Sequence, residues 1–219
     1  MRATTTILGL ALAGTAALAA ARQNPPAGAQ MPPQQPQGQR GGGRGGGQAG
    51  IQIMTLSSTA WTDGGMIPVR HSQVNDPESS PPLAWSGVPD GIVSFALIVR
   101  DLDALRTQGG TTTEMLHWLV WNIPGSARSL AEGLPAVAEL PDGSRQISGT
   151  GPYYRGPGAA AAGPAHHYVF ELYALDAMLD VAAVGQSPAD TRTAVMNGMS
   201  GHIRAKGTLV GLFKRQPLH

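Results

Sequence analysis

The sequence predicts a mainly β protein, a β-sandwich with short helices at its periphery. Three observations point there. Several runs are apolar enough on both faces to be covered strands, notably 92–99 and 115–124. The connections between such runs are long and punctuated, drawing on 18 Pro and 30 Gly in 219 residues. One stretch alone, near residues 188–203, carries the start signals of a good helix. Many strands, long connections and one helix suit packed sheets better than alternating helix–strand units.

Residues 1–21 read as a secretory signal peptide. Arg2 is the basic start, 7–20 the apolar core, and Ala17 to Ala19 or Ala19 to Ala21 a small-x-small cleavage site. A retained anchor is the rival reading, but this Ala/Gly-rich run is short for a span of roughly 20 strongly apolar residues. The expected location is therefore periplasmic or secreted. Residues 22–50 are Pro, Gln and Gly with scattered Arg, too polar to offset chain entropy, and are expected to be a disordered linker. Gly41 to Gly47 resembles an RNA-binding RGG element, but the single Arg44 within it favours a plain tether.

Charge is unevenly placed. Arg2, Arg22, Arg40 and Arg44 face no acid in the first 50 residues, so a chain of net charge +1 leaves its remaining 169 residues at −3. That part presents no basic nucleic-acid surface. The absence of Cys excludes disulfides, thiolate metal sites, a cysteine nucleophile and a lipid-accepting Cys behind the leader.

The domain is expected to span 51–219, large enough for a self-sufficient core. Residues 51–56 alternate weakly and read as a strand, 61–65 as a turn and 66–71 as a short strand. Residues 76–85 read as irregular, because their prolines cannot donate to a ladder. A turn at 86–91 leads into the strand 92–99, followed by Arg100 to Asp103, a Gly/Thr-rich loop and the strand 115–124. After Pro124 come a loop with one short helical turn (126–132), more loop over 141–165, and a strand over 167–174. In the helix, Ser187 can cap, Pro188 suits the first position and Asp190 faces the dipole. Ala189, Thr193, Met196, Met199 (or Val195) and Ile203 give a partial apolar stripe, and 208–213 is the last strand.

Polar groups beside the apolar strands are the candidates for chemistry: Asp101, Asp103, His117, His166, His167 and Tyr168. Asp101 and Asp103 point the same way if their strand continues. By the same alternation His117 shares a face with Leu119 and Trp121, while His166 and Tyr168 share a face opposite His167. If these strands are neighbours, one end of the sheet gathers carboxylates, imidazoles and a phenol. Carboxylates would keep the imidazoles cationic, and backbone N–H groups of the loop 151–163 would add to a small-anion site. The rival is a set of separately satisfied core histidines. No metal site is expected, since neither H-x-x-x-H nor H-E-x-x-H spacing occurs. Nor is a serine hydrolase: Gly198 to His202 misses G-x-S-x-G by one position. A phosphate-binding P-loop is absent too.

Six blocks carry a resemblance: residues 80–89, Phe95 to Asp103, His117 to Pro124, Tyr154 to Pro157, Gly163 to Asp176 and Gly201 to Ala205. In this order, across about 51–215, they resemble the phosphatidylethanolamine-binding protein family, most closely its bacterial Raf-kinase-inhibitor-like (YbhB/YbcL-type) branch. The resemblance implies a sandwich of antiparallel sheets with a pocket at one end for phosphate-like or carboxylate anions. It places the family's first pocket motif, Asp-Pro-Asp-x-Pro, on 101–105, where Leu102 and Leu105 replace the two prolines. His117 is the pocket histidine. The second motif, Gly-x-His-Arg-Tyr, falls on 163–168 with one residue inserted and His167 in place of Arg. Gly156 and Pro157 match the loop over the pocket, but Gly158 to Ala160 replace the usual Cys-Pro-Pro. The ligand-binding set is thus Asp101, Asp103, His117, Gly156, Pro157, His166 and Tyr168, in an exported, non-enzymatic protein without cofactor. Its expected partner is a small anion or phospholipid headgroup. The alternative implied by the family is an inhibitor or modulator of a protein such as a protease or kinase, and the bacterial branch suggests a homodimer.

Overall fold

The computed structural model describes residues 50–108 and 111–217. The expected signal peptide, and the linker up to residue 49, lie outside the described residues.

The apolar runs do become the centre of a sheet. The strand β1 is Gln52–Ile53, β2 Thr55–Ser57, β3 Gly65–Met66 and β4 Leu83–Ser86. Two long strands follow, β5 (Ser94–Gln108) and β6 (Thr111–Pro124), then β7 (Ser129–Leu130), β8 (Arg145–Ile147), β9 (His166–Leu175), the helix α1 (Pro188–Met199) and β10 (Ile203–Phe213). The larger sheet runs β1-β10-β9-β5-β6-β8, with β3 also on β10; the smaller runs β2-β4-β7. Pairing is antiparallel throughout, except that β1 and β3 lie parallel to β10.

Strand alternation sorts the core into two layers. Phe95, Leu97 and Val99 of β5 meet Phe170, Leu172 and Ala174 of β9 on one face, and pack with Leu56, Leu83 and Trp85 of the small sheet. Ala96 and Ile98 face the other way, toward Val195 and Met199 of α1. Trp118 and Trp121 are both fully buried, one in each layer. Such side chains bury 150–250 Å² each and dominate core energetics. The helix starts as its cap predicts, with the Ser187 hydroxyl oxygen accepting from the Asp190 N–H at 3.2 Å.

Several local expectations are corrected. The segment 51–56 is not one strand: it breaks at Met54, so that β1 joins the large sheet and β2 the small one. Residues 66–71 form β3 and a 3₁₀ turn, Val69–His71. The stretch read as irregular ends in β4, and the expected helical turn near 126–132 contains β7 instead. The loop 141–165 contains β8, which pairs with β6. The Gly/Thr-rich loop is largely strand, since β5 and β6 remain paired from Leu105↔Glu114 to Gln108↔Thr111. The helix ends at Met199, its buried positions being Thr191, Val195 and Met199, while Met196 faces solvent and Ile203 begins β10. These short strands have only two to four residues. Long-range pairing decides elements of that length, and local pattern does not.

Candidate functional site

One end of the large sheet is interrupted by two irregularities, and they shape the site. Val99 pairs with Trp118 but Arg100 pairs with Leu116, so His117 is an extra residue in β6. This bulge breaks the alternation. Leu116 joins the helix-side layer with Leu119 and Trp121, while His117 turns to the opposite side. There its ring meets Tyr168 edge-on, with centroids 5.0 Å apart. The expectation that His117 shares a face with Leu119 and Trp121 is corrected by that one residue. The second irregularity follows Asp101, which pairs with Met115, while Leu105 pairs with Glu114. Residues 102–104 loop out, and the Asp101 Oδ1 accepts the N–H groups of Asp103 (2.9 Å) and Ala104 (3.0 Å). This is an Asx-type turn made by the carboxylate itself.

The turn sends the two aspartates apart. Asp101 is buried, and its Oδ2 accepts from Nδ1 of His166 at 2.9 Å. Asp103 is largely exposed and instead accepts the backbone N–H of His167 (2.6 Å) and its Nδ1 (2.9 Å). The His167 N–H bond, ahead of the imidazole, holds the Asp103 carboxyl below its ordinary value. Asp103 and His167 thus form an outer pair, and Asp103 does not line the cavity. Alternation on β9 is regular, so His166 and Tyr168 face inward as the sequence indicates.

The cavity has a volume of about 230 Å³. Asp101, His117, His166 and Tyr168 line it together. Gly156 and Pro157 do not; they shape it from behind. The Gly156 carbonyl accepts from Gln73 Nε2 at 2.7 Å, and that of Pro157 from the Gln73 N–H at 2.9 Å. Glycine is required at 156, where a Cβ would sit 2.6 Å from the His71 carbonyl and 2.7 Å from the Ser72 Cα. The Gly156 N–H donates to the Glu78 carboxylate.

Sequence reasoning missed Gln73, Met115 and Arg155, which line the cavity with Ala104 and Gly158 to Ala160. Arg155 changes the electrostatics most. Its Nη2 donates to Gln73 Oε1 at 3.1 Å, its Nε is buried without a partner, and it makes no ion pair among the described residues. The signal was present in the block Tyr154 to Pro157, but a loop arginine has no periodicity to mark it.

The protonation pattern is specific. His117 Nδ1 lies 2.9 Å from the Arg155 carbonyl and 3.1 Å from that of Gly156. Both are acceptors, so Nδ1 carries the proton. Nε2 stands 4.0 Å from Asp101 Oδ2, beyond hydrogen-bonding distance. Burial lowers the His117 pKa, outweighing the carbonyls and Asp101, which pull it up. The expectation that carboxylates keep this imidazole cationic is therefore corrected: desolvation of a nearly buried ring wins. Burial, followed by the neighbouring Asp101 carboxylate, raises the Tyr168 pKa well out of the physiological range. Its phenol stays protonated, and its oxygen accepts the N–H groups of Gly158 and Ala159, each at 3.3 Å. Asp101 is the hub that orients His166 and closes the turn. Among the described residues the Nε2 atoms of His117 and His166 have no hydrogen-bond partner, and the Arg155 side chain has no counter-charge and no partner beyond Gln73.

Comparison with known proteins agrees with this geometry at the level of fold and family. The family model described as phosphatidylethanolamine-binding protein matches residues 57–214. A UPF0098 protein of Methanothermobacter thermautotrophicus is 38% identical over 165 residues, covering 74% of this chain and 99% of that one. Among solved structures, CT736 of Chlamydia trachomatis, a phosphatidylethanolamine-binding protein homologue, matches with a TM-score of 0.60 at 29% identity, over 75% of this chain and 99% of its own. E. coli YbcL matches in fold, with a TM-score of 0.58 at 24% identity over 74% of this chain and 99% of that one. The match over almost the whole described domain, with the two-sheet architecture, places the chain in the phosphatidylethanolamine-binding protein family.

Proposed function

We propose that this chain is an exported, non-enzymatic binding protein whose cavity takes a small phosphate-like anion, free or as a phospholipid headgroup. One observation carries the reading: the Arg155 guanidinium, without an ion-pair partner among the described residues, lines the same cavity as His117, His166 and Tyr168. A partly desolvated cation without a counter-charge is costly, and a bound anion relieves that cost with charge-assisted hydrogen bonds. The cavity, about 230 Å³, suits a headgroup-sized ligand better than a drug-sized one. Non-enzymatic binding fits the arrangement, because Asp101 is engaged by His166 and two backbone N–H groups and is not poised as a base. Export rests on the leader-like residues 1–21.

The test is titration of inorganic phosphate and of phosphoethanolamine at slightly acidic pH, with the His117 and His166 imidazoles followed by NMR. Both should shift, and saturate in the millimolar range or below. An absence of movement at either ring overturns the reading.

A further inference from the structure

Arg155 and His117 line the same cavity, one a cation and the other carrying a lone pair, and this mixed lining says more about the ligand than its charge. Arg155 donates only. His117 is fixed with its proton on Nδ1 by the carbonyls of Arg155 and Gly156, so its cavity-side Nε2 accepts when the ring is neutral. The charged and titratable groups around this ring are Asp101 on β5, His166 and Tyr168 on β9, and Arg155 on the preceding loop, with Glu78 one step behind on the Gly156 N–H. Asp101 is satisfied by the N–H groups of Asp103 and Ala104 and by His166, and the Tyr168 oxygen takes the N–H groups of Gly158 and Ala159. Among the described residues no donor stands within hydrogen-bonding distance of Nε2.

We propose that at neutral pH the pocket selects an oxyanion that keeps a hydroxyl proton, as hydrogen phosphate does, over sulfate, a phosphomonoester dianion or a phosphodiester headgroup. This rests on the anion reading above and sharpens it. The hydroxyl of hydrogen phosphate donates to His117 Nε2, while its charged oxygens accept from Arg155. Sulfate has the same shape and charge but no hydroxyl, so its oxygen would face the Nε2 lone pair unless the ring first takes a proton from solvent. A phosphomonoester loses its second proton above about pH 6, and a diester has none to offer at neutral pH. Binding of hydrogen phosphate therefore needs no proton from solvent, whereas binding of the others takes up about one. Burial opposes that uptake, which makes the discrimination strongest above the imidazole range and weakest below it.

The experiment is calorimetric titration of the full chain with inorganic phosphate, sulfate and phosphoethanolamine, in two buffers of different ionisation enthalpy. It is run near pH 7.5 and near pH 5.5, on either side of the ordinary imidazole value. Near pH 7.5 phosphate should bind at least about tenfold tighter than sulfate or phosphoethanolamine, since each pK unit of enforced protonation is worth a factor of ten. Its binding enthalpy should not depend on the buffer, whereas that of sulfate should. Near pH 5.5 the three should converge. H117N, which can keep a donor toward the two carbonyls but places nothing at Nε2, should abolish the phosphate preference. R155Q should weaken all three ligands and leave their order intact. Equal affinity for phosphate and sulfate near pH 7.5 overturns this inference and leaves the anion pocket standing. No binding of any of the three at either pH overturns the pocket reading, and this inference with it. The wild-type buffer dependence decides even if the variants do not fold.

Discussion

Asp101 Oδ2 lies 2.9 Å from Nδ1 of His166, although the two are 65 positions apart along the sequence. The same carboxylate closes its own turn through Oδ1, so one buried group fixes both the end of regular β5 and the orientation of a β9 side chain. In D101N the new amide would place N–H groups against donors it cannot satisfy. Loss of charge-assisted hydrogen bonds costs about 1.5–3 kcal/mol, and urea unfolding should show a loss of that order. Phosphate affinity should fall as well, because the His166 side chain loses its anchor. Unchanged stability would remove Asp101 from this central position.

Asp103 should behave differently despite its place in the same motif. Its bonds to His167 are at the surface, and exposed pairs contribute at most about 1 kcal/mol. D103A should change phosphate affinity by no more than about twofold and stability by less than about 1 kcal/mol. A large loss of binding would show that Asp103 reaches the ligand.

Acid should destabilise the ligand-free protein. His71 and His117 both have pKa values lowered chiefly by burial, so the unfolded chain binds protons more readily than the folded one. Their neutral forms favour folding above the unfolded value of about 6.5, and that contribution is lost as pH falls below it. The midpoint of thermal unfolding should therefore drop by several degrees between neutral and mildly acidic pH. If the proposed pocket takes sulfate once its imidazole is protonated, saturating sulfate should counter part of the drop. Unfolding that is independent of pH across this interval would contradict the burial of both rings.

Asn122 offers a test of backbone strain. Its φ is +58°, and its amide makes two bonds to Leu179, Nδ2 to the carbonyl at 2.9 Å and Oδ1 from the N–H at 2.8 Å. N122A loses both bonds and leaves a Cβ residue without side-chain support in the left-handed region. The expected cost is about 3 kcal/mol in denaturant unfolding. N122G loses the bonds but not the conformation, so it should be the milder of the two. Equal costs would assign the whole effect to hydrogen bonding.

What the sequence disclosed was whatever obeys a period. Phe95, Leu97 and Val99 against Ala96 and Ile98, like His166 and Tyr168 against His167, follow directly from alternation. His117 and Asp103 do not, because each stands at a break in register that depends on the partner strand. Arg155 was hidden for another reason. It lies between Pro- and Gly-rich stretches, and only the fold brings it into the same cavity as a histidine 38 residues earlier. The short strands β4, β7 and β8 likewise owe their existence to neighbours and not to their own composition.

The break at Met54 has a mechanical consequence. The six residues from Gln52 to Ser57 are a seam, hooked to β10 of one layer by its first two residues and to β4 of the other by its last three. A cut before Gln52 would leave both layers closed, whereas one at Met54 would free an edge of each at once. Tension arriving from the N-terminal side would likewise reach both sheets at this stitch, so the point where the chain enters the two layers is also the point where they can be torn open.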